Sequence, residues 1–552
     1  MIFTPRDYQQ QAVDDTLNGF EQHQCLLGVM ATGMGKTAVS AWIANHFKDR
    51  GRILFLVHQD KLLSQGQKTL EKITGCRSQI EKADVWADRR TFGPQILFAT
   101  IQTMIAGRDG GRMTRFEPKD FSFVVVDEGH HSVAPSWRKV IDHFRQNPDL
   151  RILLMTATPD RGDEKALGQI AEDVAFEYDI NYGIDNGWLV LPEQIPCHVH
   201  SLDLSAMHVT AGELNGGELA ANLEEDKTIL EMATPVLDAC RDEKTLIFTA
   251  TVEQARKFAA VLNGHKPGSA EYVCGKTPAE YRGPLYDRYA NGKFQYLINV
   301  GIAVEGFDEP AVRWIVMGRP HLSRAAYAQK VGRGTRPLPG IVDGLATPEE
   351  RIRAILASAK PKVSVLDFCG NAGKHKLVHV ADVLGGKYPD EVIELANRNI
   401  EREGKPADIP SELVRAEREI DRRRKEAAEA DRRAKVYTKI RSIYSFGKSI
   451  DPFDALDIVP CREPAYRKGR RATDGQRAAL EKFGVNAPDN MSFVHASQVL
   501  DALVKRVKSG LPSLKQERQL RKRGLFRADM TYAEARTIMD KIAAKEGWRR
   551  TG

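Results

Sequence analysis

The sequence predicts an α/β chain with two parallel-sheet domains in tandem, followed by an α-helical C-terminal region. Three observations carry this. Short apolar runs, the length of buried parallel strands, alternate with amphipathic segments from Cys25 to Met317. The first run ends in a glycine loop that opens a helix, Ala31-Thr32-Gly33-Met34-Gly35-Lys36-Thr37. From Glu391 onward the apolar runs give way to Ala-rich, densely charged sequence.

A strand, a glycine loop and a helix start make a phosphate cradle, because loop N–H groups and the helix N-terminus face an anion together. Lys36 can reach the β- and γ-phosphates of a nucleotide, and the Thr37 hydroxyl suits Mg²⁺. Thr32, Gly33, Met34 and Gly35 complete the loop. The match to G-x-x-x-x-G-K-[ST] is imperfect, since Met30 stands at the first glycine position. Upstream lies Arg6-Asp7-Tyr8-Gln9. A Gln side chain can donate to and accept from an adenine edge at once, so Arg6 and Gln9 join the candidate nucleotide contacts.

The next runs supply the strand ends where ligands of open α/β sheets bind. Ile53–Val57 leads to His58-Gln59, and Gln95–Ala99 leads to Thr100-Ile101-Gln102-Thr103. His58, Gln59, Thr100 and Gln102 are small polar candidates for a phosphodiester backbone. Phe123–Val126 delivers Asp127-Glu128-Gly129-His130. Adjacent acids repel unless they share a cation or a proton. Asp127 is thus the candidate metal ligand beside Thr37, and Glu128 the candidate that polarises an attacking water. Arg151–Met155 ends in Thr156-Ala157-Thr158-Pro159.

This ordered set resembles the superfamily 2 helicases, and within them the DNA-directed branch of type III restriction motor subunits and XPB-like and UvrB-like enzymes. The resemblance implies two tandem RecA-like domains, and a second set of runs follows. Thr245–Phe248 ends in Thr249, another nucleic-acid candidate, and Tyr296–Val300 leads into Gly301–Pro310. That segment resembles motif V, whose Gly306 and Asp308 are assigned to the nucleotide. Gln329-Lys330-Val331-Gly332-Arg333-Gly334-Thr335-Arg336 matches the Q-x-x-G-R-x-x-R pattern of motif VI. Guanidinium groups suit the charge on a transferring phosphoryl group, which makes Arg336 the first and Arg333 the second arginine-finger candidate. Gln329 would position water or the γ-phosphate. Asp367, Asn371, His375 and His379 form no metal pattern and read as structural polar residues.

The expected organisation is a RecA-like domain at 1–192, a connection at 193–230, a second RecA-like domain at 231–386, a charged helical linker at 387–461 and a basic helical domain at 462–552. From Arg462 on there are 21 Lys/Arg against 10 Asp/Glu, whereas the rest holds 60 against 64. The tail repeats itself. Thr473-x-x-Gln476-x-x-x-Leu480 returns as Ser513-x-x-Gln516-x-x-x-Leu520, and Met491-Ser492-Phe493-x-x-Ala496 as Met530-Thr531-Tyr532-x-x-Ala535. Each copy reads as a helical hairpin. Lys505, Arg506, Lys508, Arg521, Lys522 and Arg523 cluster there, marking a nucleic-acid-binding or protein-docking module.

The seven cysteines form no C-x-x-C pair, no run reaches the ~20 apolar residues of a bilayer span, and the N-terminus lacks a signal-peptide pattern. A reducing, cytoplasmic setting is expected, bacterial, phage-infected or in an otherwise reducing intracellular compartment, without membrane contact. The reading is an ATP- and Mg²⁺-dependent motor on single-stranded, forked or duplex DNA. Its alternatives are a restriction or defence motor subunit that translocates without unwinding, and an RNA helicase. A replication, repair or defence protein is the candidate partner of the C-terminal region.

Overall fold

The computed structural model describes residues 4–57, 62–88, 96–107, 110–157, 167–168, 170–210, 213–301, 309–371, 376–386, 388–438, 453, 456, 458, 470–483, 485, 491–527 and 529–546. They fall into two compact units.

The first unit holds two seven-stranded sheets. In chain order the first sheet has β1 (Cys25–Met30), β2 (Arg52–Val57), β3 (Ser78–Glu81), β4 (Ile96–Thr100), β5 (Phe121–Asp127), β6 (Arg151–Thr156) and β7 (Asp173–Tyr178). Their spatial order is β3-β4-β2-β5-β6-β1-β7, and every pairing is parallel. Because both faces of β1, β2, β4 and β5 are covered, their sequences are nearly unbroken apolar runs. Helix α1 (Asp7–Gly19) precedes β1, and α2 (Lys36–Phe47) follows it. The carboxyl ends of β1, β4, β5 and β6 therefore open on one edge, where the predicted motifs begin.

The second sheet is built from β8 (Pro192–Asp203), β11 (Thr245–Thr249), β12 (Ala270–Cys274), β13 (Tyr296–Val300), β14 (Trp314–Met317), β15 (Val363–Asn371) and β16 (Ala407–Asp408). A two-residue ribbon, β9 (Val209–Thr210) with β10 (Glu213–Leu214), stands apart. The order is β12-β13-β11-β14-β15-β8-β16, parallel except for β16 on β8. One expectation changes here. The 193–230 stretch is not a plain connection, since β8 belongs to the second sheet. Its apolar residues alternate with polar ones and include two prolines, a pattern weaker than a buried run. Strands β8 and β16 lie beyond β15 in the sheet.

The second unit is helical among its described residues. The repeat appears as helices Asp474–Lys482 and Phe493–Lys508, then Leu514–Lys522 and Tyr532–Glu546. Thr473 with Gln476 and Ser513 with Gln516 form the same capping box. Leu480 and Leu520, and Ala496 and Ala535, are fully buried at matching positions. The charged helix spans Ile409–Thr438 with Pro410 in its first turn, where a proline is tolerated.

Candidate nucleotide and nucleic-acid site

The loop after β1 turns through two left-handed glycines, Gly33 at φ +92° and Gly35 at φ +94°. A side chain at either would be strained. At Gly35 a Cβ would also stand 2.5 Å from the Gln9 amide nitrogen. Gly35 caps α2 without a side-chain bond, so the first N–H groups of that helix have no intrahelical partner. That arrangement suits an anion.

Helix α1 supports the loop from below. Tyr8 Oη and Gln9 Nε2 both donate to the Met34 carbonyl, at 2.7 and 2.9 Å. The Gln9 amide also reaches Tyr8 Oη at 3.3 Å, and its carbonyl accepts from Arg6 N at 3.0 Å. Gln9 is therefore a buried strut for the loop, with a carbonyl lone pair as its remaining capacity. This departs from the expectation of a side chain offered to adenine. Arg6 departs too: it lies over the Trp188 ring at 4.6 Å and pairs with Asp343 at 3.1 Å.

Strand β5 ends in the acidic pair. Glu128 holds φ +51°, a left-handed backbone that costs an L-residue roughly 1–2 kcal/mol. Gly129 behind it has little space, since a Cβ would stand 3.0 Å from Leu154 Cβ. Burial, and then the neighbouring Glu128, push the Asp127 carboxyl up to about 6, while Lys36 and Arg333 pull it back. Two crowded acids with the Thr37 hydroxyl on the first turn of α2 are a donor set that a hard divalent cation fits.

The second sheet brings the helix Arg324–Gly332 to the same edge. Gln329 Nε2 donates to Glu128 Oε1 at 2.9 Å. Gly332 meets the phosphate loop so closely that a Cβ there would lie 2.8 Å from Thr32 Cβ. Arg336 runs beside Gly33, where a Cβ would be 3.1 Å from Arg336 Cγ. Burial lowers the Arg336 pKa to about 10, so the guanidinium stays charged at neutral pH. Residues from the loop, from β5 and from the motif VI segment thus converge at one cleft.

Sequence reasoning missed the residue that holds Arg336. Lys360 is 1% exposed, and its Nζ donates to the carbonyls of Arg336 at 2.7 Å and Pro310 at 2.6 Å. Burial pushes its amine down to about 7. A neutral amine still has two N–H donors for those two carbonyls. Nothing in Ala359-Lys360-Pro361-Lys362 distinguishes it from a surface lysine. A second support is Tyr327, two residues before Gln329, whose Oη donates to Asp367 Oδ2 at 2.8 Å. His379 Nδ1 meets the same oxygen at 2.8 Å, and its Nε2 lies 3.2 Å from Glu401. Burial alone would lower the His379 pKa, but these carboxylates outweigh it and hold it at about 10. Asp367 and His379 are structural polar residues, as expected, and no metal-ligand cluster occurs among the described residues.

The expected nucleic-acid contacts fare unevenly. Thr100 and Thr249 are buried, with hydroxyls turned inward to Thr103 Oγ1 at 2.8 Å and the Asn299 carbonyl at 3.3 Å. Both are strand-end caps. Gln102 is exposed on the same edge. His58, Gln59, Gly306 and Asp308 lie outside the described residues. In the second unit Lys505, Lys508 and Lys522 are exposed. Arg506 is instead tied to Glu517 and, at 2.6 Å, to the Pro512 carbonyl, which fastens the two repeats. Arg521 pairs with Glu517 at 2.8 Å, and Arg523 donates to Gln519 Oε1 at 2.6 Å.

Residues 2–161 match the family described as type III restriction enzyme, res subunit, and residues 228–337 match the helicase conserved C-terminal domain. The chain is 26% identical over 493 residues to the assigned ATP-dependent helicase IRC3 of Saccharomyces cerevisiae, covering 86% of this chain and 66% of that protein. It is 26% identical over 404 residues to the assigned mitochondrial ATP-dependent helicase irc3 of Schizosaccharomyces pombe, covering 71% of this chain and 62% of that one. The chain thus spans less than two thirds of the length of these relatives. Among solved structures, a fragment assigned to an HsdR subunit of a type I restriction enzyme from Vibrio vulnificus aligns at TM-score 0.49 and 20% identity, over 68% of this chain and 70% of that one. The motifs in order and both family descriptions matched in sequence support a superfamily 2 helicase of the type III restriction motor branch.

Proposed function

We propose that the chain is an ATP-dependent motor that moves along DNA and separates its strands. The bond from Gln329 to Glu128 carries the reading, because it joins the motif VI helix to the acid at the end of β5. Lys36 binds the β- and γ-phosphates, and Arg333 and Arg336 neutralise the charge that develops on the transferring group. Glu128 polarises the attacking water, and Gln329 positions it. Thr37 and Asp127 would hold Mg²⁺, which neutralises phosphate charge when bound. With the loop beside the first sheet and the arginines beside the second, the γ-phosphate draws both domains together, and its loss releases them. Nucleic acid held across both domains then feels an alternating grip. The exposed lysines of the 462–552 region supply a second contact to DNA or to a repair, replication or defence protein.

A second reading, a restriction or defence motor that translocates on duplex without unwinding, is favoured by the type III restriction family match. ATPase stimulation by single-stranded, forked and duplex DNA and by RNA separates these readings. Unwinding of a fork supports the first, and duplex-stimulated ATPase without unwinding supports the second. Stimulation by RNA alone refutes both. Glu128→Gln should lower kcat by about 10²–10⁴, and an unchanged rate would remove the assigned role of Glu128. No helix among the described residues is long and apolar enough to cross a membrane.

A further inference from the structure

The edge strand β3 leads into a tight hairpin that presents an aromatic ring. Lys82 N donates to the Val85 carbonyl at 2.9 Å and Val85 N to the Lys82 carbonyl at 2.6 Å. Ala83 takes φ +40° at the turn. Its N–H donates to Thr103 Oγ1 at 3.2 Å. The hairpin is thereby fastened to the segment after β4, on the carboxyl edge that also carries Gln102.

Directly after the hairpin stands Trp86, 59% exposed, an unusual place for the largest apolar side chain. The ring is held from behind. Arg112 and Arg115 lie over it at 3.6 and 4.4 Å from its centre. Both also bond one oxygen of the fully buried Glu81, at 2.5 and 2.7 Å. Sharing one oxygen keeps the two guanidinium groups too close together to bracket the ring, so they back a single face. Arg112 further donates to the carbonyls of Ala83 and Val85, and Arg115 to that of Ala87. Two guanidinium groups against one carboxylate leave a positive remainder behind the indole. Of the charges beside it on the hairpin, Lys82 offsets Asp84.

A rigid, outward aromatic face with cationic backing is the recurring device for holding an unpaired base, with the phosphate drawn to the nearby charge. We propose that Trp86 stacks one unpaired base of a single strand running along the carboxyl edge of the first sheet. The inference rests on the motor reading above and adds a contact that none of its motifs contains.

The test uses the full chain with an oligodeoxythymidylate and a blunt duplex, read by half-saturation of ATPase stimulation and by tryptophan fluorescence. Trp86→Ala should raise the half-saturating oligonucleotide concentration by about 5–150-fold, the range of one base–aromatic stack. Trp86→Phe should keep most of the affinity. Blunt-duplex binding should not respond, because its bases already stack on each other. Oligonucleotide should quench wild-type fluorescence, and that part of the signal should vanish in Trp86→Phe. Equal affinity of Trp86→Ala and wild type for the oligonucleotide would overturn the stacking role and leave the motor reading standing. Equal losses on oligonucleotide and duplex would overturn it too, as a merely structural effect. A wild-type chain that binds no nucleic acid at all would refute the motor reading itself, and the inference with it.

Discussion

Gly332→Ala tests whether the contact between the two halves of the cleft sets the rate. Its helix should gain at most about 1 kcal/mol from the replacement. Against this, the new Cβ would stand 2.8 Å from Thr32 Cβ, well inside the ~3.5–4.0 Å optimum for two carbons. Thr32 Cβ is bonded to the loop backbone and cannot rotate away, so the helix or the loop must move by several tenths of an ångström. Overpacking of this kind costs roughly 1–3 kcal/mol. The two terms largely offset each other, and the thermal midpoint should fall only slightly. The rate responds far more, because a misplacement near 1 Å at a reacting centre costs about 10²-fold. Steady-state ATPase with saturating DNA should therefore show kcat down by about 10–10² while the fold persists by circular dichroism. A wild-type kcat with a raised midpoint would refute the reasoning, since helix propensity alone would then be at work.

Two further outcomes follow from the buried charges. Lys360→Met leaves the Arg336 and Pro310 carbonyls without the Nζ donor, at about 1–3 kcal/mol each. It should lower kcat more than it changes KM for ATP, and unchanged kinetics would show that Arg336 needs no such brace. Lys360 titrates near 7 when folded and near 10.4 when unfolded, so its contribution to stability rises with pH across that window. His379 works in the opposite sense. Its folded value of about 10 exceeds the unfolded ~6.5, so its stabilisation is complete below that lower value and fades as pH climbs through the upper one. Thermal midpoints of wild type and His379→Gln should differ most at mildly acidic pH and converge towards about pH 10. A constant gap would mean that the His379 charge contributes nothing.

The motor halves were legible in the sequence because their signals are local. Buried parallel strands must be apolar throughout, a phosphate loop must have glycine at its left-handed positions, and a carboxylate pair must follow β5 directly. The capped repeats at Thr473 and Ser513 were legible for the same reason, since a capping box is complete within four residues. Strand β8 was harder to see, because its apolar residues are spaced by polar ones and two prolines.

What only the tertiary structure decided is which distant residues meet. Gln9 carries the chemistry to read a base, yet it lies beneath the loop because Met34 offers its carbonyl there. Thr100 and Thr249 are polar strand ends whose hydroxyls turn inward to partners at Thr103 and Asn299. Lys360, Tyr327 and the Asp367–His379 pair support motif VI through contacts between elements far apart in the chain. Trp86 becomes a candidate platform only when Arg112, Arg115 and Glu81 assemble behind it. By itself the sequence determined the long apolar strands, the loop and the order of the motifs, because burial and backbone conformation leave local marks, whereas β3, β7, β8, β12 and β16 do not stand out in it. The partners of each polar group depend on packing between elements, and a single chain read in order carries no mark of that.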